Sequence, residues 1–513
     1  MPEKVAVFDT TLRDGEQAAG TRLGSREKLI IARQLAELKV DVIEAGYPAS
    51  SPEDFEAVQA IGREIPGPTI CALSRAVPAD IEACARALAD CPRPRIHTGI
   101  GVSDVHVLGK FGDEKYGENL AEKRKKLIEM AVKSVELARK TVADVEFYAE
   151  DAGRAELGYL LEMIRAVVGA GATVVNIPDT TGYAVPAQYG ALIKSVREVA
   201  GAATVSVHCH DDLGLAVANT LAGVLNGARQ VEGTINGVGE RAGNAALEEV
   251  VMALRTRQDY FGVHTQIETR ELQKTSRLVG DLLGLQPPPN KAIVGANAFS
   301  HSSGIHVDGV LKLRDTYEIM RPEDVGMSES RVVLTARTGR HGLRDRLARL
   351  GCMLSDTELD RAYRQFLVIA DKKREVYDED LVAIVQDEIH LPGLYRLEYL
   401  HIYSGTSAIP TATVRLRVND EVREGAAVGD GPVDAAYKAI SQLTNATARL
   451  DRYEIRGVTS GTEALGEATV HLEDGGRKVT GRGTSTDVIE ASAKAYIDGL
   501  NQLARAAGRG ASA

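Results

Sequence analysis

From the start of the chain to about residue 260, short runs rich in β-branched residues alternate with longer segments whose apolar residues recur at helical spacing. The runs are Val5 to Phe8, Val40 to Ala45, Thr69 to Leu73, Arg95 to Gly101, Val145 to Ala149, Thr173 to Ile177, Thr204 to His208 and Gln230 to Ile235. Between them, helical spacing predicts Arg26 to Leu38, Asp80 to Leu88, Leu127 to Thr141, Gly158 to Val168, Gln188 to Val199 and Ala216 to Asn226. Eight βα units within roughly 250 residues match a (β/α)8 TIM barrel, with a doubly wound open sheet as the alternative. Parallel strands buried on both faces account for runs that are apolar rather than strictly alternating.

Beyond residue 264 the pattern changes twice. Residues 265–388 are mainly helical in spacing, broken at Pro287 to Pro289 and by a polar loop at His301 to His306. From 389 to 513 strand-like runs return, at Leu397 to Ser404, Ala412 to Val418, Tyr453 to Thr459 and Ala468 to Leu472, with helices near Val433 to Leu443 and Val488 to Leu503. Each of these helices follows a glycine-containing turn, Gly429 to Pro432 or Gly481 to Thr486, which suggests an α+β domain built as a two-fold repeat. Such a repeat serves either to hold a small ligand between its halves or to dimerise. The expected domains are therefore 1–264, a barrel; 265–388, a helical linker region; and 389–513, an α+β module.

Composition narrows the function. The 513 residues are 44% hydrophobic and 26% charged, ordinary for a folded globular protein. A net charge of -11 argues against a nucleic-acid partner, which demands a concentrated basic surface. The one dense basic run, Lys123 to Lys126, lies among Glu118, Glu122 and Glu129 and reads as a solvated helix face. Five cysteines form neither a disulfide ladder nor a CxxC knuckle, which fits a reducing compartment. No signal peptide and no membrane span is legible, so the expectation is a cytoplasmic protein with no membrane partner.

Active sites of such barrels lie at the C-terminal ends of the strands. Polar residues gather there: Asp9 to Asp14, Glu44, His97, Glu150 and Asp151, Asp179 to Thr181, His208 to Asp212, and Asn236 to Asn244. In His208-Cys209-His210, alternation along a strand turns both imidazoles one way and the thiol the other. Two imidazoles and a carboxylate suit a divalent ion with open positions, and Asp14, one strand removed around a closed barrel, is the candidate carboxylate. The competing reading is a pair of ordinary hydrogen-bonded strand-end histidines. In Asp9 to Gln17, either Gly15 makes a turn in a charged loop, or Arg13 stabilises an oxyanion and Gln17 bonds substrate. Gly237 to Asn244 contains GxGxxxG without Rossmann context, so it is either a glycine turn with solvated charges or a source of a further metal ligand, Asn244, and an acid, Glu240.

Taken together, Asp9 to Gln17, Val42 to Glu53 (VIEAGYPASSPE), His208 to Leu213 (HCHDDL) and Asn236 to Asn244 (NGVGERAGN) closely resemble the 2-isopropylmalate synthases, members of a superfamily of Claisen-condensing barrels and related lyases. The resemblance extends through Pro289 to Val294, Asn297 to Leu311, Ser404 to Leu416 and Gly481 to Ala493. It implies that Asp14, His208, His210 and Asn244 hold a divalent ion (manganese, magnesium or zinc), with acetyl-CoA as co-substrate. It further implies catalytic roles for Arg13, Glu150, Glu240, His306 and Tyr317, and a keto-acid pocket lined by Arg13, Gln17, His97, Asn176 and Thr180. The C-terminal domain resembles the family's leucine-binding regulatory domain, with Gly431, Pro432 and Ala435 where the effector would lie, and a homodimer or higher homo-oligomer is implied.

The chain departs from the family pattern at Val307, often Gln; at Leu334 to Arg340 (LTARTGR), often a GKHSGR form; and at Tyr148, often Ser. The expected reaction condenses acetyl-CoA with 2-ketoisovalerate to 2-isopropylmalate, the first committed step of leucine biosynthesis, under leucine feedback. The alternatives are a citramalate synthase using pyruvate, since Tyr148 and Leu73 narrow the pocket; an acyl-CoA lyase; and a non-catalytic leucine sensor.

Overall fold

The structure is a computed structural model that describes residues 2–301, 303–327, 331–332, 338–350, 352, 354–371, 376, 380–381, 384, 394–405, 407–419, 421–457 and 466–508. The 388/389 boundary, residues 334–337 of the LTARTGR segment, and residues 458 and 459 lie outside them. The chain divides into two compact units, Met1–His301 with Arg314–Arg331, and Ser302–Leu313 with Val332–Ala513.

Eight parallel strands close the barrel of the first unit: β1 (Ala6–Asp9), β2 (Val42–Gly46), β3 (Thr69–Arg75), β4 (Pro94–Gly101), β5 (Asp144–Glu150), β6 (Val174–Asp179), β7 (Thr204–Cys209) and β8 (Gln230–Gly233). Closure is made by β8 against β1, with Ala6 opposite Gln230 and Asp9 opposite Gly233. The helices between strands carry legible start signals. In α1 (Ser25–Glu37) the predicted helix is met almost to the residue. In α2 (Pro52–Glu64), absent from the sequence reading, Ser51 caps the Asp54 amide and Pro52 occupies the first turn. The ring continues with α3 (Pro78–Ala87), α4 (Asp104–Lys110), α5 (Leu120–Arg139), α6 (Leu157–Gly169), α7 (Pro186–Val199), α8 (Ala216–Leu225) and α9 (Leu247–Thr256).

Two expectations need correction here. Lys123 on α5 is not solvated: it is buried, and its ammonium donates to the carbonyls of Phe111, Gly112 and Asp113 at 3.0, 3.0 and 2.9 Å, fastening the preceding loop. The strands, moreover, do alternate. Val145, Phe147 and Ala149 of β5, Val175 and Ile177 of β6, and Val205, Val207 and Cys209 of β7 are buried in the apolar layer beneath the helices. The intervening residues are polar and meet across the lumen: Arg95 of β4 donates to Gln230 of β8 at 2.8 Å, and Gln230 to Glu146 of β5 at 2.8 Å. Strands so far apart in the ring touch only through the interior, so the polar set faces inward. The usual filling of such barrels by Val, Ile and Leu is replaced here by carboxylates, amides and guanidinium groups.

The second unit contains α10 (Gly304–Lys312), α11 (Arg340–Arg349) and α12 (Asp356–Ala370), the last opened by a capping box between Ser355 and Glu358. Its C-terminal part is a repeat, as expected, but with three strands per half. Strands β9 (Tyr395–Gly405), β10 (Ala408–Val418) and β11 (Glu421–Val428) form one antiparallel sheet followed by α13 (Pro432–Thr444). Strands β12 (Arg449–Gly457), β13 (Gly466–Asp474) and β14 (Arg477–Ser485) form the other, followed by α14 (Val488–Gly508). The two helices share one core, where Tyr437 stacks on Tyr496 with ring centroids 4.4 Å apart. Gly481 to Ser485, read from sequence as a turn, is the end of β14. Glycine is needed there because the helix crosses almost against the strand: a Cβ on Gly481 would lie 2.2 Å from the Ala495 carbonyl, and one on Gly483 would lie 2.4 Å from that of Ala491.

Candidate metal centre and active site

At the C-terminal mouth of the barrel, β7 runs out into His208 and His210, and the two Nε2 atoms stand 3.3 Å apart. Cys209 between them is buried in the outer apolar layer, as alternation requires. Burial disfavours the charged imidazole and pushes both histidines down to about 4, against the pull of Asp14. Both are therefore neutral near pH 7, each with one ring nitrogen free to donate a lone pair. Asp14 follows β1 and places Oδ2 3.8 and 3.9 Å from the two Nε2 atoms. Burial opposes its charge, but Arg13, His208 and His210 outweigh burial and hold the carboxyl well below its ordinary range.

Loop 236–246 brings in the fourth residue. Gly243 adopts φ +93, and a Cβ there would strike the Gly237 carbonyl at 2.0 Å, so the glycine turn doubles the loop back. That return pairs Asn244 with His210 in a bridge and lets its amide donate to Asp14 Oδ1 at 2.8 Å. Gly239 leaves the space that Asn244 and Asp14 occupy, since its Cβ would fall 2.2 Å from Asn244 Nδ2. Thus the GxGxxxG run is a glycine turn that also positions a polar side chain at the mouth.

These residues fit a divalent cation. The ligand atoms of Asp14, His208 and His210 all lie within 4.8 Å of one another. The Asn244 Oδ1 atom is buried with no hydrogen-bond partner, so the cluster carries an acceptor that the protein leaves unsatisfied. A carboxylate, two neutral imidazoles and an amide oxygen form a donor set suited to manganese, magnesium or zinc.

Arg13 lies beside this group. Its Nη1 donates to Asp14 at 2.5 Å and its Nε to Glu44 of β2 at 2.7 Å, so the guanidinium is clamped between two carboxylates. Glu44 Oε2 also accepts from the Thr10 hydroxyl at 2.6 Å, and Glu44 Oε1 lies 2.8 Å from His97 Nδ1. Burial raises the Glu44 carboxyl, but Arg13 and His97 overcome it and hold it at about 2. Glu44 and His97, read from sequence as strand-end residues, lie inside their strands and face the lumen. Tyr148 fills the space beside them, its ring edge-on to His97 at 5.0 Å and its hydroxyl on the Ser74 carbonyl at 3.1 Å.

The remaining candidates are placed as follows. Asn176 is buried and donates to Glu232 at 2.8 Å. Thr180 is half-buried, accepting from the Asp151 amide at 2.9 Å and, through its carbonyl, from Arg241 at 2.7 Å. Glu150 is engaged by Lys110 at 2.6 Å and lies 3.6 Å from His106, and these outweigh burial to keep it ionised below its ordinary value. Gln17 and Glu240 are exposed, the latter 3.5 Å from Arg241. Tyr317 is exposed on the first unit, whereas His306 is exposed on α10 of the second. Gly431 caps α13, with Pro432 in its first turn and Ala435 fully buried. The reading of the sequence missed Glu146, Ser206, Gln230, Glu232 and Arg95, which line the lumen below the mouth. Their signal was the period-two polar spacing in ArgIleHis, AspValGlu, SerValHis and GlnValGlu.

The closed parallel barrel carries at its C-terminal mouth a group that could hold a metal ion and a clamped arginine, and the HMGL-like family matches residues 4–279. A homocitrate synthase post-HMGL domain-like region matches 293–374, and a LeuA allosteric (dimerisation) domain matches 375–504. The chain is 55% identical over 506 residues to a 2-isopropylmalate synthase of Carboxydothermus hydrogenoformans, covering 98% of each. It is 53% identical to one of Heliobacterium modesticaldum, covering 98% of this chain and 97% of that one, and 52% identical to one of Pelotomaculum thermopropionicum, covering 98% and 99%. The chain belongs to the 2-isopropylmalate synthase family and is an acyltransferase of the HMGL-like barrel class. No helix among the described residues is long and apolar enough to cross a membrane.

Proposed function

We propose that the chain condenses acetyl-CoA with 2-ketoisovalerate and hydrolyses the thioester, giving 2-isopropylmalate and CoA, the first committed step of leucine biosynthesis. The observation that carries this reading is the convergence of Asp14, His208 and His210 within 4.8 Å at the barrel mouth, in a chain 55% identical to a 2-isopropylmalate synthase. Asp14, His208, His210 and Asn244 would hold the divalent ion, which when bound supplies Lewis acidity to the ketone of the keto acid. Arg13 has its Nε and Nη1 committed to Glu44 and Asp14, so its orientation is set before substrate arrives and its Nη2 edge is free for a developing oxyanion. A base of the site takes a proton from the acetyl methyl group, the methyl carbon bonds to the ketone carbon, and the ketone oxygen is protonated to an alcohol. Water then cleaves the thioester to a carboxylate and free CoA thiol.

Glu150, Glu240, His306 and Tyr317 are the proton-handling or positioning groups of this proposal. Gln17, His97, Asn176 and Thr180 complete the keto-acid pocket with Arg13. His97 is well suited: Nδ1 faces an ionised carboxylate, which leaves Nε2 as an acceptor in the lumen. Leucine is the proposed effector, at the α13 N-terminus around Gly431, Pro432 and Ala435, where backbone amides can receive its carboxylate. We place the chain in the cytoplasm as a homodimer or larger homo-oligomer. Pyruvate as the keto acid, giving citramalate, is not favoured by the relatives' names. The test is release of CoA thiol from acetyl-CoA with magnesium or manganese, comparing 2-ketoisovalerate, pyruvate and 2-ketoglutarate. Preference for 2-ketoisovalerate, with inhibition by leucine that is lost on removal of residues after 390, is expected. Preference for pyruvate overturns the substrate assignment.

A further inference from the structure

Glu232 of β8 sits in the lumen directly beneath His208 and is wholly buried. Three neutral side chains donate to it, and the Glu146 carboxyl lies beside it. Its Oε1 accepts from the Ser206 hydroxyl at 2.6 Å and the Gln230 amide at 3.4 Å, and its Oε2 from the Asn176 amide at 2.8 Å. That same Oε2 lies 3.4 Å from Nδ1 of His208, a buried atom that has no hydrogen-bond partner. The opposite edge of the ring points to the metal-ligand group, with Nε2 3.8 Å from Asp14 Oδ2.

A neutral imidazole carries one ring hydrogen, and the two placements are not equivalent here. On Nδ1 the hydrogen meets the Glu232 carboxylate, and Nε2 turns its lone pair toward Asp14 and His210. On Nε2 the hydrogen points into the group that would hold a cation, and a bare nitrogen lone pair is left against a carboxylate oxygen. The second arrangement wastes a buried acceptor and blocks a ligand.

We propose that Glu232 is a positioning residue that fixes His208 as its Nδ1–H tautomer and holds the ring with Nε2 facing Asp14 and His210. Ser206, Asn176 and Gln230 aim the carboxylate by occupying its other acceptor positions. The inference rests on the reading of Asp14, His208 and His210 as a metal group. It predicts that charge matters more than volume at position 232. Glutamine fills the space of glutamate but brings an N–H among the Ser206, Asn176 and His208 donors; aspartate is shorter but keeps two acceptor oxygens for them.

The experiment measures manganese affinity of the full chain by competition with a chelating dye. Glu232→Gln should weaken binding about 10- to 100-fold, the usual range for a lost partner behind a ligand, and Glu232→Asp should recover part of that loss. Wild-type affinity in Glu232→Gln, or glutamine outperforming aspartate, overturns the proposal and leaves Glu232 a packing residue. Absence of manganese binding in the wild type refutes the metal reading itself, and this proposal with it. Should Glu232→Gln fail to fold, nitrogen-15 NMR of histidine-labelled wild-type protein in its zinc form decides. A His208 resonance pair with hydrogen on Nδ1, assigned by its loss in His208→Ala, supports the proposal; hydrogen on Nε2 overturns it.

Discussion

The two faces of the barrel sheet are built from the same strands and do opposite work. Outward, Phe147, Ile177, Val205 and Val207 are buried against helices and have nothing to offer but area and fit. Inward, Arg95, Glu146, Asn176, Ser206, Gln230 and Glu232 are buried too and are linked to one another through hydrogen bonds, with His208 above them. The outer face makes the barrel stable, and the inner face spends stability on holding charged groups where a ligand site needs them. Buried polar networks cost more to break than to leave unbuilt, so the contrast predicts different failures on the two faces.

The largest effect belongs to the mouth. His208→Ala or Asp14→Ala should abolish turnover while leaving the circular dichroism spectrum and the melting transition close to those of the wild type. Neither side chain packs the outer layer, and each removes a ligand atom from a cluster within 4.8 Å. Appreciable CoA release by either variant would remove both residues from the metal assignment.

Next come two substitutions on neighbouring strands, one per face. Phe147→Ala empties the outer layer and should cost about 3–5 kcal/mol in chemical denaturation, with kcat per folded molecule little changed. Arg95→Leu is an inner-face change. Arg95 donates to the partly exposed Asp144 at 2.8 Å and to the buried Glu146 at 2.9 Å, so its loss leaves the Glu146 carboxyl without one of its donors, at a cost of about 1–3 kcal/mol. The two differ in their remedy. Adding Glu146→Leu to Arg95→Leu should recover stability, because the buried polar group left without its donor goes with its partner, whereas no second truncation beside Phe147 refills a cavity. Failure of that rescue would mean that the inner face is held by volume, as the outer face is.

The outer face was the legible one. Its apolar residues, spaced by helical segments of the right length, pointed to eight βα units, and alternation in His208-Cys209-His210 placed two imidazoles at one mouth. The same alternation ran down β5 to β8 in plain view, but an expectation of apolar parallel strands concealed it, and so Glu232 and Glu146 were passed over. In the C-terminal repeat, β11 and β14 went unread because neither carries an uninterrupted apolar run. β14 also carries Gly481 and Gly483, which sequence rules assign to turns. Only the helix lying across them explains those glycines, and that is a tertiary fact. Loop 236–246 was legible as a glycine turn, while its delivery of Asn244 to Asp14 depends on barrel closure.

The smallest and most specific prediction concerns one proton on the inner face. Burial, reinforced by the charge of Glu232, pushes Glu146 up to about 8 from an ordinary 4.5. The folded protein then keeps a proton that the unfolded chain has already released between those two values, so the contribution of Glu146 to stability is full below pH 4.5 and is lost as pH rises toward 8. Its slope cannot exceed about 1.4 kcal/mol per pH unit, the value of one proton. Glu146→Gln is neutral at every pH and keeps a carbonyl oxygen for Arg95, although its amide nitrogen cannot accept from Gln230 as the carboxyl does. Urea denaturation of both proteins from pH 5 to 8, at saturating metal, should show the wild type losing stability faster with rising pH than Glu146→Gln. The two should differ least at pH 5 in slope-corrected stability and most at pH 8. Asp9 and Glu248, buried and raised to about 7, add to the slope of both proteins alike and cancel in the comparison, whereas Glu232, also raised to about 7, titrates together with Glu146 as the pair whose slope the comparison reads. Parallel curves would place the proton elsewhere in the lumen and would mean that Arg95 holds Glu146 as an ion, making the inner face a chain of charge pairs rather than a network closed by a shared proton.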